Sequence, residues 1–71
     1  MSEQKRDHFA EFVWSDYARE NFEHLRSYAV SGAEALARDN LPMARNYFEC
    51  CRMVGKELAT AFKHLQEAKA E

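Results

Sequence analysis

An unbroken heptad repeat between Leu41 and Ala68 constrains this chain more than any other feature of its sequence. Apolar and small residues recur there at alternating steps of three and four, the spacing of a helix face that packs against another helix. Pro42 suits the first turn of that helix, because its missing N–H would be unpaired there anyway. The repeat consists of Ala44, Tyr47, Cys51, Val54, Leu58, Ala61, Leu65 and Ala68, and the residues that widen it into a stripe are Phe48, Gly55 and Phe62.

A second heptad repeat lies upstream and predicts a second helix. It consists of Ala18, Phe22, Leu25, Ala29, Gly32 and Leu36. Asn40 is tolerated in a left-handed helix cap, and the Leu41-Pro42 step then restarts a helix. The sequence therefore predicts one all-α domain over residues 1–71, with a helix at about 5–38, a turn at about 39–41 and a helix at about 42–69.

The aromatic residues before the second repeat are out of phase with it. Phe9, Phe12, Val13 and Tyr17 share a helical face that is rotated from the Ala18–Leu36 seam. Two arrangements remain open. Either the first helix runs through this segment, with or without a kink, or residues 5–14 fold back as a short extra helix. The absence of a capping box near Ser15 favours the continuous helix.

An antiparallel hairpin places residues equidistant from the turn beside one another, and large residues then meet small ones. Gly32 is expected beside Tyr47, and Gly55 beside Leu25. A glycine inside a helix costs about 1 kcal/mol relative to alanine, so a close approach of the helices would explain both. The other expected layers pair Leu36 with Ala44, Ala29 with Cys51, Phe22 with Leu58 and Ala18 with Phe62.

The chain carries nine aromatic residues, which is more than one seam between two helices can bury. Exposed in a monomer, the surplus would form an unusually large apolar patch. The sequence therefore predicts a homodimer, in which two hairpins form a four-helix bundle, and contacts with another protein. The residues predicted to make those contacts are Phe9, Phe12, Trp14, Tyr17, Tyr28 and Met53. For Phe9, Phe12 and Trp14, closing the open end of the bundle is the alternative role.

No catalytic, cofactor-binding or metal-binding motif is present. His8, His24 and His64 do not share a helical face, and adjacent Cys50 and Cys51 point about 100° apart. The sequence predicts a non-enzymatic protein without cofactor or metal. A net charge of −2 makes nucleic acid an unlikely partner, and no apolar run reaches the ~20 residues of a membrane span. Without a visible signal peptide, the expected location is cytoplasmic.

The second helix carries one basic stripe. Arg45, Arg52, Lys56 and Lys63 line the outer face of the second helix, and Glu49 interrupts them where it can pair with Arg45 and Arg52. The stripe is interpreted as a salt-bridged surface. Its functional interpretation is a polar docking stripe for an acidic protein surface or for RNA, as in a small dimeric RNA-binding hairpin.

Two segments of the first helix resemble the helices of phasins, the proteins that coat polyester granules. The segments are Ala18–Leu25, centred on Asn21, and the Gly-Ala-Glu-rich Ser31–Ala37. The resemblance implies an amphipathic coat protein on hydrophobic granules or lipid. The main functional hypothesis is different: a small adaptor, inhibitor, regulator or chaperone, of the phage or plasmid type, that binds another protein through exposed apolar helix faces.

Overall fold

The computed structural model describes residues 8–69, which form two antiparallel α-helices. Helix α1 spans His8–Ala37 and helix α2 spans Leu41–Lys69, and the two pack against each other along their length. No strand occurs between residues 8 and 69. The predicted all-α antiparallel hairpin is confirmed. The predicted start of the first helix near residue 5 lies outside the described residues.

Helix α1 is continuous through the segment where a break was conceivable. Residues 8–14 belong to α1, so they do not fold back as a separate helix. Asp16 does not cap a new helix. Its carboxylate accepts a hydrogen bond at 3.0 Å from Arg19, one turn further along the same helix.

The turn between the helices is closed by backbone hydrogen bonds. Asp39 adopts the left-handed conformation, with φ of 60°. The Asn40 N–H donates to the Ala35 carbonyl at 2.8 Å and the Asp39 N–H donates to the Leu36 carbonyl at 2.9 Å, which satisfies two carbonyls in the last turn of α1. The left-handed residue is therefore Asp39, and the assignment of that role to Asn40 was wrong.

Asn40 instead begins α2. Its side-chain oxygen accepts a hydrogen bond from the Met43 N–H at 3.3 Å, and its carbonyl accepts the first helical bond from Ala44 at 3.0 Å. Asp39 can adopt the left-handed conformation because aspartate, like asparagine, tolerates positive φ. Asn40 caps α2 because it directly precedes the first residue of that helix. Pro42 lies in the first turn of α2, as predicted.

The predicted seam of α2 is confirmed at every position. Each of its residues is buried or half-buried, and the most enclosed are Val54, Leu58, Ala61 and Ala68.

The predicted seam of α1 is correct at alternate positions only. Ala18, Leu25 and Gly32 are buried or half-buried as expected. The other three positions are shifted by one residue: Asn21, Tyr28 and Ala35 face α2, whereas Phe22, Ala29 and Leu36 are exposed.

Asn21 explains part of this shift. Its side chain is only 8% exposed, and its amide nitrogen donates to the Tyr17 carbonyl at 2.9 Å. A buried polar group with a hydrogen-bond partner costs little, so Asn21 can occupy a seam position. Ranking residues by hydrophobicity alone had placed Phe22 there instead.

The two helices approach each other closely at Gly32. A Cβ atom added to Gly32 would lie 3.2 Å from the Tyr47 Cβ, which confirms the predicted layer. Gly55 is different, because a Cβ atom there would meet nothing within 4 Å. The predicted layer of Leu25 with Gly55 is therefore wrong, and Gly55 lies exposed beside the seam.

The core sits near the middle of the hairpin and is built from small residues. Ala18 of α1 packs with Val54, Leu58 and Ala61 of α2. Alanines on both helices let the backbones come close, so larger side chains pack around the cluster rather than inside it. These surrounding side chains are Trp14, Tyr17, Leu25 and Tyr28.

The two glycines provide a matched test of this packing. Gly32→Leu should lower the free energy of unfolding by about 1–3 kcal/mol, because its side chain must displace Tyr47. Gly55→Ala should raise it by about 0.5–1 kcal/mol, since the new methyl group meets open space and the helix gains propensity. Urea unfolding followed by circular dichroism measures both. A stabilised Gly32→Leu variant would contradict the register.

Candidate functional site

The two sides of the hairpin differ in chemistry, and the first is closed by aromatic and polar contacts. We call this side the polar edge; it consists of Trp14 and Tyr17 of α1 and Glu57 and His64 of α2. The Trp14 and His64 rings stack with centroids 4.2 Å apart, and Trp14 also meets Tyr17 edge to face at 5.5 Å. These contacts cover the seam on this side.

Tyr17 links the two helices at the polar edge. Its hydroxyl donates a hydrogen bond to the carboxylate of Glu57. This hydrogen bond raises the pKa of Tyr17 above its ordinary value of 10.0, and desolvation and the negative charge of Glu57 act in the same direction. A hydrogen bond from Asn21 opposes the rise in pKa but does not cancel it.

The opposite side of the hairpin is apolar and open. We call it the apolar face; it consists of Phe22 and Leu36 of α1 and Phe48 and Phe62 of α2. Within each helix the two residues are fourteen apart, so they lie on the same face. Phe22 and Phe62 also meet across the seam, with ring centroids 6.0 Å apart. All four side chains remain between 46% and 59% exposed.

Two shallow clefts open between the helices on the apolar face. One, of about 460 Å³, lies between Phe22 and Phe62 and has Ala18 and Leu65 in its walls. The other, of about 250 Å³, lies between Leu36 and Phe48. Its floor consists of small or half-buried residues, Ala29, Gly32, Ala33, Ala44 and Cys51. The apolar face is therefore a groove with two recesses.

Arginines flank the apolar face on both helices. Arg19 and Arg26 line the cleft at Phe22, three residues before it and four after it, and Glu23 lies beside them. Arg45 and Arg52 have the same spacing around Phe48, which places them next to its ring on the helix surface. Arg19 pairs with Asp16 at 3.0 Å and Arg52 with Glu49 at 2.7 Å. Within residues 8–69, Arg26 and Arg45 have no ion pair.

The sequence holds a signal for this arrangement that the heptad analysis missed. Ala18–Arg26 reads ARENFEHLR, and Ala44–Arg52 reads ARNYFECCR. The two segments share the pattern A-R-x-x-F-E-x-x-R, once on each helix. When the sequence is aligned with itself at an offset of 26 residues, Phe22 aligns with Phe48, which marks the two as equivalent residues.

The residues predicted to contact another protein fall into two groups. Trp14, Tyr17 and Tyr28 are half-buried and pack against the core, and Tyr28 lies beside Tyr47 with ring centroids 6.4 Å apart. Phe9, Phe12 and Met53 are exposed. Met53 precedes Val54 in the seam, so it lies on the side away from Phe48. Of these six residues, the structure brings Tyr28 alone to the apolar face, where it lines the cleft between Leu36 and Phe48.

The predicted basic stripe also divides. Arg45 and Arg52 flank the apolar face, whereas Lys56 and Lys63 lie further round the outer surface of α2. Of the two ion pairs expected for Glu49, the one with Arg52 is formed. Among residues 8–69, no group of three or more histidine, cysteine or acidic residues is placed to hold a metal ion. Neither α1 nor α2, as described, is long and apolar enough to cross a membrane.

No family model, no curated protein and no solved structure matches this chain.

Trp14 and Phe12 test the division between packed and exposed aromatics. Trp14→Ala should lower the free energy of unfolding by about 1–3 kcal/mol, because it removes the stack on His64 and contacts with the core. Phe12→Ala should change it by less than about 0.5 kcal/mol, since Phe12 is 68% exposed. Thermal or urea unfolding of both variants provides the measurement. Equal losses would mean that Phe12 is packed as well.

Tyr17 offers a pH-dependent test of the polar edge. Because folding raises its pKa, the Tyr17–Glu57 contact stabilises the fold below about pH 10 and loses that effect as the pH rises through the folded-state pKa. An NMR titration of labelled tyrosine should show Tyr17 ionising above pH 10. Glu57→Gln should shift this pKa down towards 10. The control, Glu67→Gln, alters a carboxylate near His64 instead and should leave Tyr17 unchanged.

Proposed function

We propose that this chain is a small, non-enzymatic helical protein that binds another protein, as an adaptor, inhibitor, regulator or chaperone does. The observation that carries the proposal is the apolar face, on which Phe22, Leu36, Phe48 and Phe62 remain about half exposed. Contiguous exposed apolar surface with a polar surround is typical of interaction sites. Aromatic residues and arginine, which dominate the energetics of protein interfaces, occur together on this face.

The composition of the core supports the same proposal. Of the six buried hydrophobic residues within 8–69, four are alanines, and the other two are Val54 and Leu58. A buried valine or leucine contributes about 1.5–3 kcal/mol, and alanine contributes much less because it buries so little surface. Two helices with such a core bury little apolar surface for their length. A further layer on the apolar face would add the burial that the hairpin itself lacks.

The size of one side of the hairpin suits a protein interface. A helix of 30 residues is about 45 Å long, and two helices side by side are roughly 20 Å wide. One whole side of the hairpin therefore covers on the order of 900 Å², close to the ~800 Å² that each partner contributes to a standard interface. The apolar face extends over about 27 Å of this length, from the level of Leu36 to that of Phe62, and covers on the order of 500 Å² of it.

A second copy of the chain competes for the same surface. The homodimer expected from the sequence would join two hairpins through their apolar faces into a four-helix bundle. A core made mostly of alanines gains from any further apolar layer, so it favours a second copy as much as a different partner. The dimer is therefore the second candidate, and the state of association in solution distinguishes it.

The remaining alternatives make other predictions for the same surface. A phasin-like coat protein would place the apolar face on a granule or lipid, and an RNA-binding hairpin would depend on the arginines and lysines of α2. A cytoplasmic location is part of the proposal, and it rests on the composition of the chain and on Cys50 and Cys51 being unpaired.

Site-specific photocrosslinking tests the proposal. A photoreactive residue in place of Phe48 should form adducts with a protein in a native extract, because that position faces the groove. The same residue in place of Met53 is the control; Met53 is exposed on the same helix, at 66% against 58% for Phe48, but on the other side. Adducts should be identified by mass spectrometry, and Phe22→Ser should abolish them.

Each other result identifies a competing function. Adducts with a second copy, together with a dimer in sedimentation equilibrium, would assign the face to self-association. Recovery with lipid or granules favours the coat protein, and adducts with RNA favour the RNA-binding hairpin. Equal adducts at positions 48 and 53 would contradict any role for the apolar face.

A further inference from the structure

We infer that the occupant of the apolar face is an acidic amphipathic helix of a partner protein, lying in the groove between α1 and α2. The inference rests on the proposed function and specifies the chemistry of its partner. In groove recognition of this type, one helix lays its apolar side against two others, and its anchoring side chains recur every three or four residues. Here the groove is already formed, with one recess between Phe22 and Phe62 and another between Leu36 and Phe48.

Charge on the rims of the groove selects an acidic partner. Four arginines flank the groove, two beside Phe22 and two beside Phe48. Asp16 and Glu49 each pair with one of them, and Glu23 lines the recess at Phe22, so the four arginines outnumber these three acidic residues by one. Arg26 and Arg45 have no ion pair among residues 8–69. The chain as a whole carries a net charge of −2, so this basic surface is a local feature and not a consequence of composition.

Acidic residues lie on the other side of the hairpin. Glu57 contacts Tyr17 on the polar edge, and Glu67 lies 3.4 Å from His64 there. The polar edge thus presents Glu57 and Glu67, whereas at the groove Arg19 and Arg52 are paired with acidic residues and Glu23 lines one recess. A partner that brings carboxylates to Arg26 and Arg45 gains attraction on docking and is steered towards the groove rather than the edge.

A second copy of the chain fits these charges less well than an acidic helix does. Docked face to face, it would bring its own four arginines to the same rims, and like charges at an interface oppose association. A lipid surface would accept the arginines, but it does not present side chains at fixed helical spacing to the two recesses. The combination of side-chain-sized recesses and basic rims therefore favours a peptide helix.

The repeated segment predicts how charge is distributed on the partner. Phe22 lies eighteen residues before Asn40 and Phe48 eight residues after it, so their positions along the groove differ by about 15 Å, or three helical turns. Arg19 and Arg26 lie on the α1 rim at one end, and Arg45 and Arg52 on the α2 rim at the other. The partner helix should therefore carry acidic residues on one flank in its first half and on the opposite flank in its second half.

A designed peptide of about 18 residues provides the probe. It carries leucines at helical spacing on one side and glutamates on alternate flanks in its two halves, with a fluorescent label. The matched control peptide has the same leucines and lysine in place of glutamate. Fluorescence anisotropy with the full chain should show binding of the acidic peptide, weakened by added salt, and at least about tenfold weaker binding of the basic one.

Two double variants distinguish the effect of charge on the rims of the groove from the effect of net charge. Arg26→Glu with Arg45→Glu should weaken binding of the acidic peptide about tenfold and strengthen binding of the basic one. Lys56→Glu with Lys63→Glu makes the same change in net charge on the outer surface of α2, and it should leave both affinities nearly unchanged. All four residues are exposed, and circular dichroism verifies that each variant folds.

The other outcomes overturn the inference. Failure of the acidic peptide to bind, or an equal loss in the two double variants, would rule out recognition by the rims. Flotation with vesicles of phosphatidylcholine and phosphatidylserine in place of peptide binding would assign the groove to a membrane surface. A dimer that excludes the peptide and persists in the Arg26→Glu, Arg45→Glu variant would assign it to a second copy. If photocrosslinks at position 48 still capture a protein other than a second copy of this chain, the proposed function stands and only the acidic chemistry of the partner fails.

Discussion

The close approach of the two helices at Gly32 and Tyr47 is the constraint on which the rest of the hairpin depends. With 3.2 Å between the Tyr47 Cβ and the position of a Cβ on Gly32, no larger residue fits there without displacement. Buried alanines continue along the seam at Ala18, Ala35 and Ala61, and the seam position of Tyr47 is accommodated opposite Gly32. Most of the other phenylalanine, tryptophan and tyrosine side chains therefore lie along the two sides of the seam.

The two sides accommodate these rings differently. On the polar edge, Trp14 stacks on His64 and Tyr17 bonds to Glu57, so each aromatic ring meets a polar partner from the other helix. On the apolar face, Phe22 and Phe62 meet each other, and Phe48 lies beside small residues. One side is complete within the monomer, whereas the other keeps apolar surface in contact with water. This difference is the physical basis for proposing an interaction site on the apolar face.

The repeated A-R-x-x-F-E-x-x-R segments give the apolar face its internal order. Because α1 and α2 run antiparallel, the same segment appears once in each direction, and the two copies lie diagonally across the groove. Each copy presents a phenylalanine between two arginines. The exposed Gly55 lies midway between Phe48 and Phe62, where it leaves space that a side chain would fill.

The sequence by itself determined the two helices, the turn between them and every seam position of α2, because heptad spacing, Pro42 and Asn40 act locally. It did not determine the rotation of α1. Phe22 and Leu36 are more hydrophobic than Asn21 and Ala35, yet the smaller residues face α2. That choice depends on how closely two backbones pack and on whether Asn21 finds a hydrogen bond, and both are properties of the folded pair. The tertiary structure therefore decided which aromatic residues belong to the core and which form the apolar face.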